Sequence, residues 1–294
     1  MNATIPTITS ITRPTSGLTA GDQYFETDTK SYIIWDGTVW RTYDYDDIAL
    51  PTVADNHSLS LDGTDDYLTT NHHFSDIFSG SFSISVWVKT ASSFSGRGAD
   101  NLMAIYDGVA LATGQCYMEY RIQEVSATTA KLNMYFEESY SSWGQVSDIQ
   151  TSAVLNTSSW HNIVFTADRP VSGTATPKIY VDGVSQSLTT AGGAFPLAGG
   201  TWDQDLYLGA RGNGASFLGN MDNIALFDRA LTDNEVGAIY NAGGGGDLSA
   251  LNVQHWWKME EGAGTTVTDS GGASTTYTAT FNSAPQWSPI VEPN

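Results

Sequence analysis

The chain predicts an all-β protein built on one large β-sandwich, and three observations carry that expectation. From about residue 50 to 230, short strand candidates follow one another at fairly regular spacing, with Gly, Asn and Asp between them. Apolar residues at helical period are absent across the same stretch. The length of 294 residues suits one sandwich with a small appendage, since single all-β domains run to roughly 200–250 residues. A hydrophobic content of 40% with 12% aromatics indicates a packed core rather than a disordered chain.

Residues 1–46 read as an arm and a small attachment unit. ITRPTSGLTAG (11–21) has the Pro and Gly content of an extended segment. In GDQYFETDTKSYIIWDGTVWRTY (21–43), aromatic and β-branched runs alternate with turn chemistry at Asp28-Thr29-Lys30 and at Asp36-Gly37, which predicts a three-stranded meander. Asp and Gly tolerate the positive φ of a type I′ turn, so the pair between Trp35 and Thr38 predicts a hairpin with Trp35 and Trp40 on paired strands. A meander this small buries too little area to offset its chain entropy, so it must dock. The sandwich, a second copy and a larger assembly are all open as its partner.

Residues 47–294 are expected to form the sandwich. SFSISVWVKT (81–90) alternates, with Phe82, Ile84, Val86 and Val88 on one face. KLNMYFEES (131–139), HNIVFTAD (161–168), KIYVDG (178–183), DLYLGA (205–210) and MDNIALFD (221–228) extend the series. One short helix is expected at LTDNEVGAIYN (231–241). Thr232 and Glu235 form a capping box, and Val236, Ile239 and Tyr240 an apolar stripe. Gly243 to Gly246 end the helix. HWWKMEEG (255–262) and TVTD (266–269) predict further strands, ahead of a tail containing Pro285, Pro289 and Pro293.

Composition narrows the function. With 12 Lys+Arg against 32 Asp+Glu, the formal charge of -20 repels phosphate backbones, and no basic cluster reverses this, so no nucleic-acid partner is expected. Cys116 is the single cysteine, which excludes an intrachain disulfide and a multi-cysteine zinc site. The start of the chain has neither a basic n-region nor an apolar h-region, and nowhere do about 18 apolar residues run together. A protein made in a cytoplasm, with no membrane insertion, is the expectation. The sequons at Asn2, Asn56 and Asn156 then read as chance matches.

Five motifs in order resemble the laminin-G-like, concanavalin A-type jelly-roll family, in particular its microbial and phage adhesins. LSLDGTDDYL (59–68) resembles the opening strand, and SFSISVWVKT with Trp87 the next core strand. SSWHNIVFTAD (158–168), KIYVDG (178–183) and LGNMDNIALFDRALTDNEVGAIYN (218–241) follow in the family's order. WWKMEEGAGTTVTDSGG (256–272) is similar to a segment that usually precedes the opening strand, yet here it follows the helix. It either completes the sandwich or begins a truncated second copy. Completion is favoured, because too little chain remains for another core. The N-terminal meander is similar to short pieces of phage fibres and other virion proteins.

The resemblance implies a non-enzymatic role: a virion fibre or capsid decoration protein, held to other virion proteins by its N-terminal segment, homotrimeric and displaying a lectin-like sandwich to cell-surface glycans. A free carbohydrate-binding lectin is the alternative, and a glycoside hydrolase a third. The hydrolase needs two carboxylates across the sugar bond. No E-x-D-x-x-E pattern supplies them, and adjacent Glu137 and Glu138 point to opposite faces of a strand. The five histidines lack any nucleophile elbow, and His72-His73 read as a solvated pair. Lectin sites set aromatic faces beside polar groups, which makes Tyr140 and Trp143 in EESYSSWGQ (137–145), and Trp202 and Asp203 in GTWDQD (200–205), the candidate glycan contacts. Asp62, Asp65 and Asp66 offer hard oxygens of the kind calcium takes. Asp-Gly is equally what a plain turn needs, so no metal ligands are assigned.

Overall fold

The computed structural model describes residues 55–105, 116–138, 145–212, 216–283 and 286–289 and, ahead of these, residues 7–8, 14, 16–17, 19, 23–26, 31–35, 38, 40–43 and 50. The expected boundary at 46/47, most of the expected arm, and the turns at Asp28-Thr29-Lys30 and Asp36-Gly37 lie outside the described residues. Thr7–Ile8 (β1), Gln23–Glu26 (β2), Ser31–Trp35 (β3) and Trp40–Tyr43 (β4) pair in that order as one small sheet, β1 parallel to β2 and the rest antiparallel. The expected three-stranded meander thus carries a fourth strand. Trp35 and Trp40 are register partners. Four residues therefore join β3 to β4, where a two-residue Asp-Gly turn would have paired Trp35 with Thr38.

The rest of the chain supplies His57–Asp62 (β5), Leu68–Thr69 (β6), Phe82–Thr90 (β7), Ala99–Ile105 (β8), Cys116–Glu124 (β9), Thr129–Glu138 (β10), Gln145–Asn156 (β11) and Trp160–Asp168 (β12). These are followed by Thr176–Val181 (β13), Val184–Ser185 (β14), Leu188–Gly192 (β15), Leu206–Leu208 (β16), Leu218–Phe227 (β17), His255–Trp257 (β18), Thr266–Val267 (β19), Ala279–Phe281 (β20) and Gln286–Pro289 (β21). Two antiparallel sheets result. One runs β15-β11-β10-β9-β8-β16-β6-β20-β19, and the other β14-β13-β12-β7-β17-β5-β21, with β18 also on β17. The two-residue Asp-Gly turn does occur, between β13 and β14. There Asp182 and Gly183 take φ of 52° and 75°, and Val181 pairs with Val184.

Alternation along each strand builds the core. Phe82, Ile84, Val86 and Val88 of β7 face Met118, Tyr120 and Ile122 of β9 and Leu132, Met134 and Phe136 of β10 in one buried cluster between the sheets. The outward face of the eight-stranded sheet is apolar too. Val164, Tyr180, Ala225 and Phe227 point away from the main core and are covered by the helix Asp233–Asn241 (α2), a 3-10 turn at Leu248–Leu251, and Trp256. The capping box holds α2: Thr232 Oγ1 accepts from the Glu235 amide at 3.3 Å, and Glu235 Oε2 accepts from the Thr232 amide at 2.8 Å. Val236 and Ile239 are buried, and Tyr240 stacks on Trp87 with ring centroids 6.1 Å apart.

The C-terminal strands join both sheets, β18 on β17, β20 on β6 and β21 on β5. A buried pair anchors them. His255 Nδ1 lies 2.7 Å from Asp269 Oδ2, and the Asp269 carboxylate also accepts from the amides of Trp256, Gly271 and Tyr277. Burial pushes the Asp269 carboxyl up, but the His255 contact and the amide donors outweigh it and hold it below the ordinary carboxylate range. Among the described residues no helix is long and apolar enough to cross a membrane.

Asp269 therefore binds its proton less readily folded than unfolded, and its stabilisation is present above the unfolded carboxylate pKa and lost as pH falls through the lower folded value. Asp269→Ala should lower the unfolding free energy by about 3–5 kcal/mol at neutral pH. The deficit should shrink as pH falls below ~4, measured by urea unfolding at several pH values.

Candidate functional site

Strand polarity gathers four connections at one end of the nine-stranded sheet. Ile105 pairs with Leu206, Cys116 with Glu138, and Ser147 with Gly192, while Tyr207 pairs with Thr69. The chain therefore leaves β6, β8, β10 and β15 at that end and re-enters there. The connections 139–144 and 193–205 carry all four residues that the sequence points to as glycan contacts. Tyr140 and Trp143 lie outside the described residues.

Trp202 requires a correction. Its ring is 2% exposed and packs on Phe78 and Phe136, with centroids 5.5 and 5.2 Å away, and the Arg169 guanidinium stands 5.9 Å from it. At 2% exposure it presents no open ring face on which a sugar could stack. Arg169 is itself buried: it donates to the carbonyls of Pro196 at 3.1 Å, Leu197 at 2.6 Å and Phe78, and so ties the 193–205 connection to the first short helix, Ser75–Phe78 (α1).

Asp203 lines an open cavity of about 550 Å³ with His72, His73, Ser75, Thr201 and the otherwise buried Trp202. Its Oδ1 is buried with no hydrogen-bond partner. His73 Nε2 lies 3.4 Å from Asp205 Oδ1, and His72 stacks on Tyr277 with centroids 3.6 Å apart. Burial holds the His72 imidazole below its ordinary range despite Asp76. Both histidines lie in a loop, His73 exposed and His72 half-buried, in keeping with a solvated pair, and each ring has a neighbour.

From this end a polar and aromatic row runs along the outward face of the nine-stranded sheet. Tyr117, Glu119 and Arg121 alternate with the core residues of β9, and Asn133, Tyr135 and Glu137 with those of β10. Glu119 is 2% exposed; Arg121 Nη1 stands 3.3 Å from its Oε2, and Arg211 Nε 2.9 Å from its Oε1. Arg121 Nε donates to Asn133 Oδ1 at 2.6 Å, and Asn133 Nδ2 donates to Asp148 Oδ1. The Arg121 and Arg211 guanidiniums lie 5.2 and 5.4 Å from the centroids of Tyr135 and Tyr117. Those two rings meet edge-on at 5.4 Å.

Burial raises the Glu119 carboxyl above its ordinary range, with Arg121 and Arg211 pulling the other way. Burial first, then Glu137, pushes the Tyr135 phenol up to about 12, so its O–H donates to Glu137 Oε2 at 3.1 Å across the working pH range. Tyr117, Glu119, Asn133 and Glu137 are buried and Arg121, Tyr135 and Arg211 half-buried, and perturbed titrating groups clustered on one sheet face in this way are a physical marker of a functional site.

None of Glu119, Arg121, Asn133 or Arg211 is singled out by the sequence reading. The alternation in CYMEYRIQE (116–124) is the signal that could have found the strand. The cross-strand register that brings Arg121 to Asn133 is carried by no local pattern.

At the far end of β6, the carboxylate oxygens of Asp62, Asp65 and Asp66 lie within 4.8 Å of one another. Hard oxygens of this kind suit calcium. Hydrogen bonds already employ them: Asp62 Oδ1 accepts from the Thr64 amide at 2.7 Å, Asp66 Oδ2 from the Asp62 amide at 3.0 Å, and Asp66 Oδ1 from Ser283 Oγ at 2.5 Å. The cluster closes a turn and fastens the C-terminal segment, and it needs no cation to explain it.

The sequence profile of the "Concanavalin A-like lectin/glucanases superfamily" matches residues 62–237, more than half of the chain. No curated protein sequence matches the chain. Among solved structures, a proposed carbohydrate-binding protein from Bacteroides ovatus aligns at 15% identity with a TM-score of 0.56, over 94% of this chain and 71% of that one. CBM40 of the Ruminococcus gnavus IT-sialidase, bound to α2,3 sialyllactose, aligns at 14% identity over 64% and 98% of the two chains, with a TM-score of 0.44. Tailspike protein 2 of an Escherichia coli O157:H7 bacteriophage aligns at 9% identity over 74% and 31%, with a TM-score of 0.47. At these identities the likeness is one of fold.

If Trp202 is a core residue, Trp202→Ala should destabilise the protein by about 3–5 kcal/mol in thermal or urea unfolding. Asp203→Asn should leave stability within about 1 kcal/mol of the parent.

Proposed function

The chain belongs to the concanavalin A-like lectin/glucanase superfamily, and from that premise we propose that it is a non-catalytic carbohydrate-binding protein whose ligand lies on the outward face of the nine-stranded sheet. One observation carries this reading. The two sheets differ on their outer faces: apolar packing covers that of the eight-stranded sheet, whereas the other presents tyrosines, guanidiniums, amides and carboxylates already tied to one another. Sugars are held by that combination, with C–H surfaces against rings and hydroxyls against charged and amide groups. The connection carrying Asp203 leaves the same end of the sheet and borders the cavity there.

Glu119 and Glu137 are diagonal neighbours on adjacent strands, since Glu119 pairs with Tyr135 and Tyr117 with Glu137. That is the one arrangement favouring a hydrolase. Against it, both Glu119 oxygens face guanidiniums and Glu137 takes the Tyr135 hydroxyl. A general acid must carry its proton toward the leaving oxygen, and these partners oppose it.

The finer part of the proposal is display. Residues 1–46 would attach the sandwich to a virus particle as a homotrimer, a fibre or decoration protein presenting its sugar-binding face to a host surface. In support, β1 to β4 pair only with one another among the described residues, so this small sheet is hydrogen-bonded to neither sheet of the sandwich.

On a glycan array the protein should bind a defined set of oligosaccharides with or without calcium. Tyr135→Ala should weaken the best of them by tenfold or more, about 1.4 kcal/mol, at unchanged calcium dependence. Binding that survives Tyr135→Ala at full strength moves the site elsewhere. Light scattering on the full chain should give three times the chain mass, and a monomer at all concentrations removes the trimeric display.

A further inference from the structure

Resting on the carbohydrate-binding reading above, we infer that the ligand is an acidic glycan, and that Arg121 and Arg211 read the carboxylate of a sialate or uronate residue on this face.

The layering of charge is the first reason. Glu119 and Glu137 are buried, while the side chains of Arg121 and Arg211 are 22% and 42% exposed. Of the three carboxylates on this face only Asp148 is as accessible as the guanidiniums, and its two oxygens already accept from Asn133 Nδ2 and Gln150 Nε2. The buried acids hold the cations from beneath, and planar guanidiniums recognise carboxylates through paired N–H donors.

The second reason is pre-organisation. Arg121 is fixed by Glu119, by Asn133 and by the Tyr135 ring, and Arg211 by Glu119 and the Tyr117 ring. Long side chains normally lose rotamer freedom when they bind a ligand. Here the fold has already ordered them, and Tyr135 lies beside the guanidiniums where a sugar ring would rest.

The third reason is where the cations are. In a chain of net charge -20, Arg121, Lys131 and Arg211 share this one face, with Lys131 Nζ donating to Gln150 Oε1 at 2.6 Å. Elsewhere Arg97 is matched by its own carboxylate in Asp100, Arg229 by Glu235 and Lys178 by Asp233, whereas on this face two guanidiniums share the single Glu119 carboxylate. Neutral sugars can be held by amides and carboxylates alone, and three cations on one face suit an anion. The net charge repels free anions at long range, so the acid group must be read by contact.

The test is an array of sialate-, glucuronate- and galacturonate-containing oligosaccharides, each beside its methyl ester, with neutral glycans on the same surface. The protein should bind at least one free acid about tenfold or more tightly than its ester, and Arg211→Gln, compared under conditions where circular dichroism shows it folded, should narrow that gap to about threefold or less. Esters bound as tightly as acids, or hits among neutral glycans only, overturn the acidic ligand and leave carbohydrate binding standing. No hit on any glycan overturns both. A gap that persists in folded Arg211→Gln removes Arg211 from the assignment, and if that variant does not fold, the ester comparison on the parent protein decides.

Discussion

A β-strand turns successive side chains to opposite faces, so one sequence can bury one face of a sheet and give the other a separate task. Everything else in this molecule depends on that division. Phe82, Ile84, Val86 and Val88 on one sheet and Met118, Tyr120, Leu132 and Met134 on the other close a single core. The residues between them are then available. On β12, β13 and β17 they are apolar and pull α2 and Trp256 down as a third layer. On β9 and β10 they are Tyr117, Glu119, Arg121, Asn133, Tyr135 and Glu137, which belong to neither apolar cluster of the described residues.

The polar face is costly to assemble. Glu119 is buried, and a buried carboxylate stays charged only with close partners. Arg121 and Arg211 provide them, and each guanidinium is steadied by a tyrosine ring. Shared partners make the group act as a unit, so truncating one member changes the geometry of its neighbours. Arg169 does a comparable job at the strand end, where a single buried guanidinium fastens the 193–205 connection through backbone carbonyls. That connection in turn forms one wall of the cavity at Asp203.

Much of the architecture is legible in the sequence because it is written locally. SFSISVWVKT shows its alternation, and Thr232 and Glu235 show their capping box three residues apart. Local signals fail where the decision is made across strands. Asp-Gly is read as a hairpin turn at 36–37, and Asp182-Gly183, read only as part of a strand, turns out to form the two-residue turn between β13 and β14. Trp202 looks like a ligand platform beside Gly and Asp, yet it is buried against Phe78 and Phe136, far away in sequence. The face itself is invisible locally: Arg121 meets Asn133, and Asn133 meets Asp148, only through the pairing of β9, β10 and β11. A search for carboxylate pairs within one strand could not find Glu119 and Glu137 on two.

The central claim is that ligand binds the outward face of the nine-stranded sheet, and amide hydrogen exchange with and without a saturating oligosaccharide tests it most directly. Slowed exchange confined to residues 116–124, 129–138 and 145–156 and to the connections at their shared end is the predicted result. Protection centred instead on the Asp62–Asp66 turn, or on α2 and the layer beneath it, would contradict the account.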